Sequence, residues 1–281
     1  MTLLNTLLNV VGLLLWTLWR SFPAASGNLT PGLSRVSLVR PASTITGWRW
    51  GPFLALGGML VVRAVFYDSV ASSVGWSPTL PLTVIAPALR GDSLMRMLLF
   101  SFLSFALTLA AFLFSLLLLS ILCRNQPDSD TWPRWVRLNL GGVVARLPWV
   151  LKLPIPFAVI TLLWAVLQPL LARLGVIPEP ASINLLLQQA AVVGLCAYLD
   201  WKFLLLGLLV LHVLNSFVYL GANPVWKFIK ESTLTLLQPL KIFPLQIGRI
   251  DFSPLLAGAL VLALARWLPP LLHRLYLNLP L

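Results

Sequence analysis

Charge is what this chain has least of. Only 10% of its 281 residues are Asp, Glu, Lys or Arg, where a soluble domain carries about 25%. That shortfall excludes a soluble globular protein. A hydrophobic content of 59% excludes a disordered one, because disorder requires low hydrophobicity and high charge. Acid is scarcest of all, with 8 Asp and Glu against 20 Lys and Arg, for a net charge of +12. The cations are scattered between apolar stretches rather than gathered on one soluble face, so no direct nucleic-acid contact is expected. Cysteine is nearly absent. Cys123 and Cys196 cannot form a disulfide framework and have no CxxC spacing, so both read as packing residues. The motifs of chemistry are missing too: no Walker A loop, no Rossmann glycine pattern, no HExxH and no nucleophile elbow. No catalytic residue, cofactor or metal ligand is therefore expected, and the chain reads as a non-enzyme.

What is present is long apolar sequence. A membrane-spanning helix needs about 20 mostly apolar residues. Six runs approach that: Leu3 to Trp19, Gly51 to Val65, Leu94 to Leu122, Ile155 to Leu171, Phe203 to Leu220 and Ser253 to Leu268. The expected fold is all-α and polytopic, with about six spans. Arg63 and Asp68 place the outer end of the short second span close by. The apolar segment from Asn184 to Tyr198, punctuated by Gln188 and Gln189, fits a separate short helix. It fits equally the first part of one long, tilted fifth span, and the long helix is the favoured reading.

Basic residues set the orientation. Arg20, Arg35, Arg40 and Arg49 follow the first span. Arg124, Arg134, Arg137, Arg146 and Lys152 follow the third, and Lys227, Lys230, Lys241 and Arg249 the fifth. Thirteen of the 20 basic residues thus fall in alternate loops. The positive-inside bias assigns those linkers to the cytoplasm and both termini to the outside. Met1 to Val10 carries no Lys or Arg, the wrong polarity for a secretory signal, so an uncleaved first span is expected.

The chain also repeats itself. Pro133-Arg134-Trp135 returns as Pro224-Val225-Trp226, and at the same offset Pro148 falls on Pro239. The unit is helix, basic proline-punctuated linker, helix. Three segments follow: a divergent N-terminal helix pair over residues 1–92, a first repeat over 93–180 and a second over 181–281. Between Pro224 and Pro239, Lys227, Lys230 and Glu231 share one helix face, while Trp226, Ile229, Leu234 and Leu237 turn the other way. That pattern predicts a short amphipathic helix in the membrane interface, with Trp135 and Trp226 at headgroup depth. Proline at each end suits it. The expected contact is anionic lipid headgroups or a partner protein, through Trp135, Trp226, Lys227, Lys230 and Lys241.

The second repeat resembles the YggT family, called YlmG in some bacteria and in plastids. The resemblance runs from Asn223-Pro224 through Pro239 and Pro244. It is sharpest over Ile247-Gly248-Arg249-Ile250-Asp251-Phe252-Ser253-Pro254, against the family's "iGgiDlSPl" core. Lys241 stands where the family tends to have arginine, which weakens a bidentate anion contact there. The first repeat keeps the outline without the core, and the first 70 residues have no counterpart. The motif residues Asn223, Pro224, Pro239, Pro244, Gly248, Arg249, Asp251, Ser253 and Pro254 read first as structural. Asp251 or Ser253 would cap the helix opened by Pro254, and Gly248 would take a turn conformation. The resemblance implies a scaffold or assembly factor in the cell inner membrane, serving envelope organisation, cell division or membrane-complex maturation through unidentified membrane-protein partners. Bacterial relatives are linked to osmotic tolerance, which keeps a small-solute or ion channel as the alternative.

Overall fold

The structure, a computed structural model, describes residues 2–21, 50–74, 78–79, 93–127, 130–173, 175, 177, 182–217, 223–242, 246–247 and 250–279. The basic stretch holding Arg35, Arg40 and Arg49 lies outside the described residues, as do Pro244, Gly248 and Arg249. Six helical stretches are long and apolar enough to cross a membrane: Leu3–Arg20, Gly51–Ala71, Leu94–Leu122, Trp149–Arg173, Ile183–Ser216 and Ser253–Leu277. The protein is an all-α, multi-pass membrane protein, as its apolar runs predict.

Compactness divides the chain into two units, Met1–Pro78 with Arg90–Thr108, and Thr79–Leu89 with Leu109–Leu281. The first unit holds α1 (Thr2–Ser21), α2 (Gly51–Val74) and the first half of α3 (Leu94–Leu122). α1 and α2 run antiparallel. Trp19 meets Trp50 and Phe53 at one end, with ring centroids 6.1 and 5.2 Å apart. In the middle, Gly12 admits the Phe105 ring so closely that a Cβ would sit 2.7 Å from it. Toward the start of α1, Asn5 and Asn9 reach Arg63 at the middle of α2. This corrects the expected second span. α2 does not stop near Val65 but continues to Val74, and Arg63 lies inside it, only 2% exposed. The helix tolerates the charge because a neighbouring helix supplies its hydrogen bonds, which a hydropathy profile does not register.

The second unit begins with the rest of α3 and a chain of short helices, α4 (Thr131–Leu140), α5 (Gly142–Arg146) and α6 (Trp149–Lys152). Gly141, at φ 87°, separates α4 from α5 with a backbone conformation that L side chains rarely adopt. Then come α7 (Ile155–Arg173), α8 (Ile183–Cys196), α9 (Trp201–Phe217), α10 (Pro224–Leu237) and α11 (Ser253–Leu277). α7 and α8 form a tight antiparallel pair around Trp164, Ala190 and Val193. Gly194 makes that pairing feasible, since a Cβ there would collide with Thr161 Oγ1 and come within 3.0 Å of the Phe157 carbonyl. Ser182 caps α8 by accepting a hydrogen bond from the Leu185 amide at 3.2 Å.

The fifth span is the long one favoured from sequence, and it is interrupted. α8 and α9 lie one after the other along α11, with Leu199 and Cys196 against Leu272 and Leu209 against Ala257. Between them, residues 197–200 turn with i→i−3 hydrogen bonds, such as Leu199 N–H to Cys196 O at 3.0 Å. Two aromatic residues hold the interruption. Tyr198 donates its hydroxyl to Leu153 O at 2.7 Å, and Trp201 donates Nε1–H to Phe114 O at 3.1 Å. Before α11, Gln246–Ile247 and Ile250–Asp251 form a two-residue antiparallel ladder, with Gln246 opposite Asp251.

Candidate functional site

Two linkers build a platform over the end of α3 and along one side of α9. α10 begins where the sequence predicts. Asn223 accepts a hydrogen bond from the Val225 amide at 3.1 Å, and Pro224 occupies the first turn. Ile229, Ser232, Thr233 and Leu237 are its buried face, a spacing of three to four residues that keeps one side of a helix inward. Ile229 packs with Leu118, Leu122 and Leu208. The buried hydroxyls are satisfied: Thr233 Oγ1 donates to Leu208 O at 3.4 Å, and Ser232 Oγ accepts from Gln126 Nε2 at 3.2 Å. Cys123 lies against the same Ser232 oxygen at 3.3 Å. Burial pushes its thiol up to about 11, so at neutral pH it is an unreactive packing group.

α4 supplies the other half. Trp132 and Trp135 are both about one-third exposed and meet at 6.3 Å, and Trp132 also reaches Phe228 of α10 at 6.2 Å. Asp130, at the position preceding α4, makes no cap bond. Its carboxylate instead takes the Lys227 ammonium at 3.0 Å, tying the two linkers together. The Asp130 carboxylate, by hydrogen bond and charge, holds the Lys227 ammonium above the ordinary lysine value. Cations also finish α3. Arg137 donates to the carbonyls of Cys123 and Gln126 at 3.5 and 3.3 Å, where a helix C-terminus favours positive charge. Arg124 sits over the Trp149 ring at 5.0 Å. Lys152 is 5% exposed and donates to Ser120 Oγ at 2.7 Å and Ala145 O at 3.1 Å.

The structure sorts the predicted residues. Trp135 and Lys230 are exposed, as a surface contact requires. Trp226 is less exposed than Trp135. It is half-buried in the cluster around Leu118 and Leu208, because α10 turns its first turn inward as well as its second. Lys227 is exposed but committed to Asp130. The side chains of Lys241 and Asp251 lie outside the described residues. Pro239 opens the short 3-10 turn Gln238–Ile242 after α10, one residue in. Of the two residues expected to cap α11, only Ser253 can be placed, because the Asp251 side chain lies outside the described residues. Ser253 is already the first residue of the helix, and Phe252 takes the cap position with no side-chain hydrogen bond. Phe252 adopts a right-handed helical conformation, so its carbonyl accepts from the Leu256 amide and the helix starts one residue early. Ser253 and Pro254 are buried instead. Trp132 and Trp149 went unnoticed in the sequence, although tryptophans flanking a basic linker are the signal that marks them.

Known proteins add no identity to this geometry. No family model, no curated protein and no solved structure matches the chain. The resemblance to YggT therefore rests on the motif residues themselves.

A second polar site lies in the first unit, and sequence reasoning missed its partners. The Arg63 guanidinium donates to Asn9 Oδ1 at 2.6 Å and to Asn5 Oδ1. The two amides in turn donate to Ser104 Oγ, at 3.2 Å from Asn5 and 3.1 Å from Asn9. Tyr67 donates its hydroxyl to Asn5 Oδ1 at 3.3 Å. The guanidinium also lies 5.3 Å from the Tyr67 ring and 6.0 Å from that of Phe100. Two asparagines four residues apart at the start of an apolar run were the available signal, since that spacing puts both on one helix face.

Between α9 and α11 there is a cleft of about 170 Å³ lined by Tyr198, Leu199, Lys202, Leu205, Val261, Leu264, Ala265 and Leu268. His212, Asn215, Gln188 and Asp200, the polar residues that would mark a path through the fifth span, are not in its lining. Among the described residues, no group of three His, Cys, Asp or Glu side chains is placed to hold a metal ion.

Proposed function

We propose that this is a YggT-type membrane scaffold or assembly factor, working through its basic linkers at the cytoplasmic face of the cell inner membrane. One observation carries the reading: the linker helices α4 and α10 meet through Trp132 and Phe228, and α10 packs on the end of α3 and the side of α9, while Trp132, Trp135, Arg134 and Lys230 stay outward. A rigid basic and aromatic surface of that kind suits anionic headgroups, where aromatic rings and cations settle at the interface. It equally suits a membrane protein presenting acidic residues at the same depth. The orientation follows from the basic linkers, with both termini outside.

A channel or transporter is the second reading, and the interruption of α8–α9 at residues 197–200 favours it, because discontinuous helices line many transport sites. The apolar lining of the neighbouring cleft weighs against it. Reconstitution separates the two. In proteoliposomes the scaffold produces no ion or solute flux above protein-free vesicles. Crosslinking in native membranes captures partners that are lost when Lys227, Lys230 and Lys241 are replaced together by alanine. Flux that disappears with Asp200→Ala, and capture that ignores the lysines, would establish the channel instead.

A further inference from the structure

Arg63 lies near the centre of the Gly51–Ala71 span and is only 2% exposed. An unshielded arginine at that depth opposes insertion by a factor on the order of a hundred. Among the described residues, no carboxylate pairs with it. What meets the guanidinium are two neutral amide oxygens from α1 and the faces of Tyr67 and Phe100. Hydrogen bonds and ring quadrupoles thus replace a counter-ion.

α1 is built for that role. It is the least apolar of the six spans, with a mean hydropathy of 1.3, and only 11% of it is buried. Most of its outward positions are apolar, Leu3, Leu7, Val10, Leu14 and Leu18 among them. Asn5 and Asn9 stand on the opposite side, each using its oxygen for Arg63 and its amide for Ser104. Polar groups in hydrocarbon are costly unless paired, so the asparagines burden α1 as Arg63 burdens α2. Each helix cancels the other's cost.

We propose that α1 and α2 enter the bilayer as one hairpin, with α1 as the built-in shield of Arg63, so that stable crossing of α2 depends on Asn5 and Asn9. This holds whether the protein is a scaffold or a channel.

The test uses the full chain carrying Thr79→Cys as a reporter beyond α2, with Cys123 and Cys196 replaced by alanine. Labelling with a membrane-impermeant maleimide, from the side on which the otherwise unaltered chain is labelled, reports that α2 has crossed. Asn5→Leu with Asn9→Leu makes α1 more apolar, so a defect cannot arise from poor insertion of α1 itself. The expected result is a fall of tenfold or more in the ratio of crossed to uncrossed α2. Adding Arg63→Leu to the same chain restores the ratio, because the charge needing a shield is gone. Normal labelling of the double asparagine variant overturns the proposal, and so does a triple variant that stays defective.

Discussion

Two cations, one in each unit, show two ways of fastening helices. Arg63 is buried in the first unit and is held by neutral asparagines. Lys227 is on the surface of the second and is held by a carboxylate, with the two side chains 56% and 33% exposed. The formally stronger pairing is thus in the weaker setting. An exposed ion pair gains little over water and is screened by salt. Hydrogen bonds to a charge excluded from water lose far more when broken. Energetic importance in this protein follows burial, not the count of opposite charges.

The sharpest way to break that comparison is at Arg63. Replacing it with lysine keeps the charge but loses the fork that reaches Asn5 and Asn9 together. With one charge-assisted hydrogen bond gone in a dry site, a destabilisation of about 2–3 kcal/mol is expected. It would be read from thermal unfolding of the purified protein in detergent. A lysine variant as stable as wild type would show that the two asparagines do not act jointly.

Of intermediate size is Asn223→Ala, which removes the cap of α10 and leaves the helix packed by Ile229 and Leu237. A loss of about 1 kcal/mol is expected, concentrated in faster hydrogen exchange at the first-turn amides of α10. Uniformly faster exchange through α9 and α11 would mean that the platform is not a separable element.

The smallest effect belongs to Lys227. Its ammonium is held above the ordinary lysine value of 10.5 by Asp130. The stabilisation is therefore fully present below that value and is lost as pH rises through the raised one. Across neutral pH, Lys227→Ala should leave the unfolding temperature unchanged within error. Any difference from wild type should narrow further only under strongly alkaline conditions. A large difference at neutral pH would mean that the tie to α4 organises the platform after all.

Legibility from sequence was uneven for physical reasons. Span number was readable because about 20 apolar residues have few other uses, and α10 because its cap, its proline and its apolar spacing all agree. The end of α2 was misread because hydropathy registers the charge of Arg63 and not the partners a second helix brings. The packing of Trp226 around Leu118 and Leu208 was not legible, because it depends on helices distant in the chain. Ser253 was misread because one backbone conformation, at Phe252, moves a helix start by a residue.

By itself, then, the scarcity of charge in this sequence determined the solvent in which the protein folds, and its apolar runs determined the helical class. Both are properties of composition along a single strand of chain, and no partner is needed to express them. Which polar groups are shielded was decided only in three dimensions. Asn5 and Asn9 meet Arg63 from a second helix and Ser104 orients them from a third, and Asp130 meets Lys227 across two linkers. Such pairings depend on distance in space, which no local pattern records.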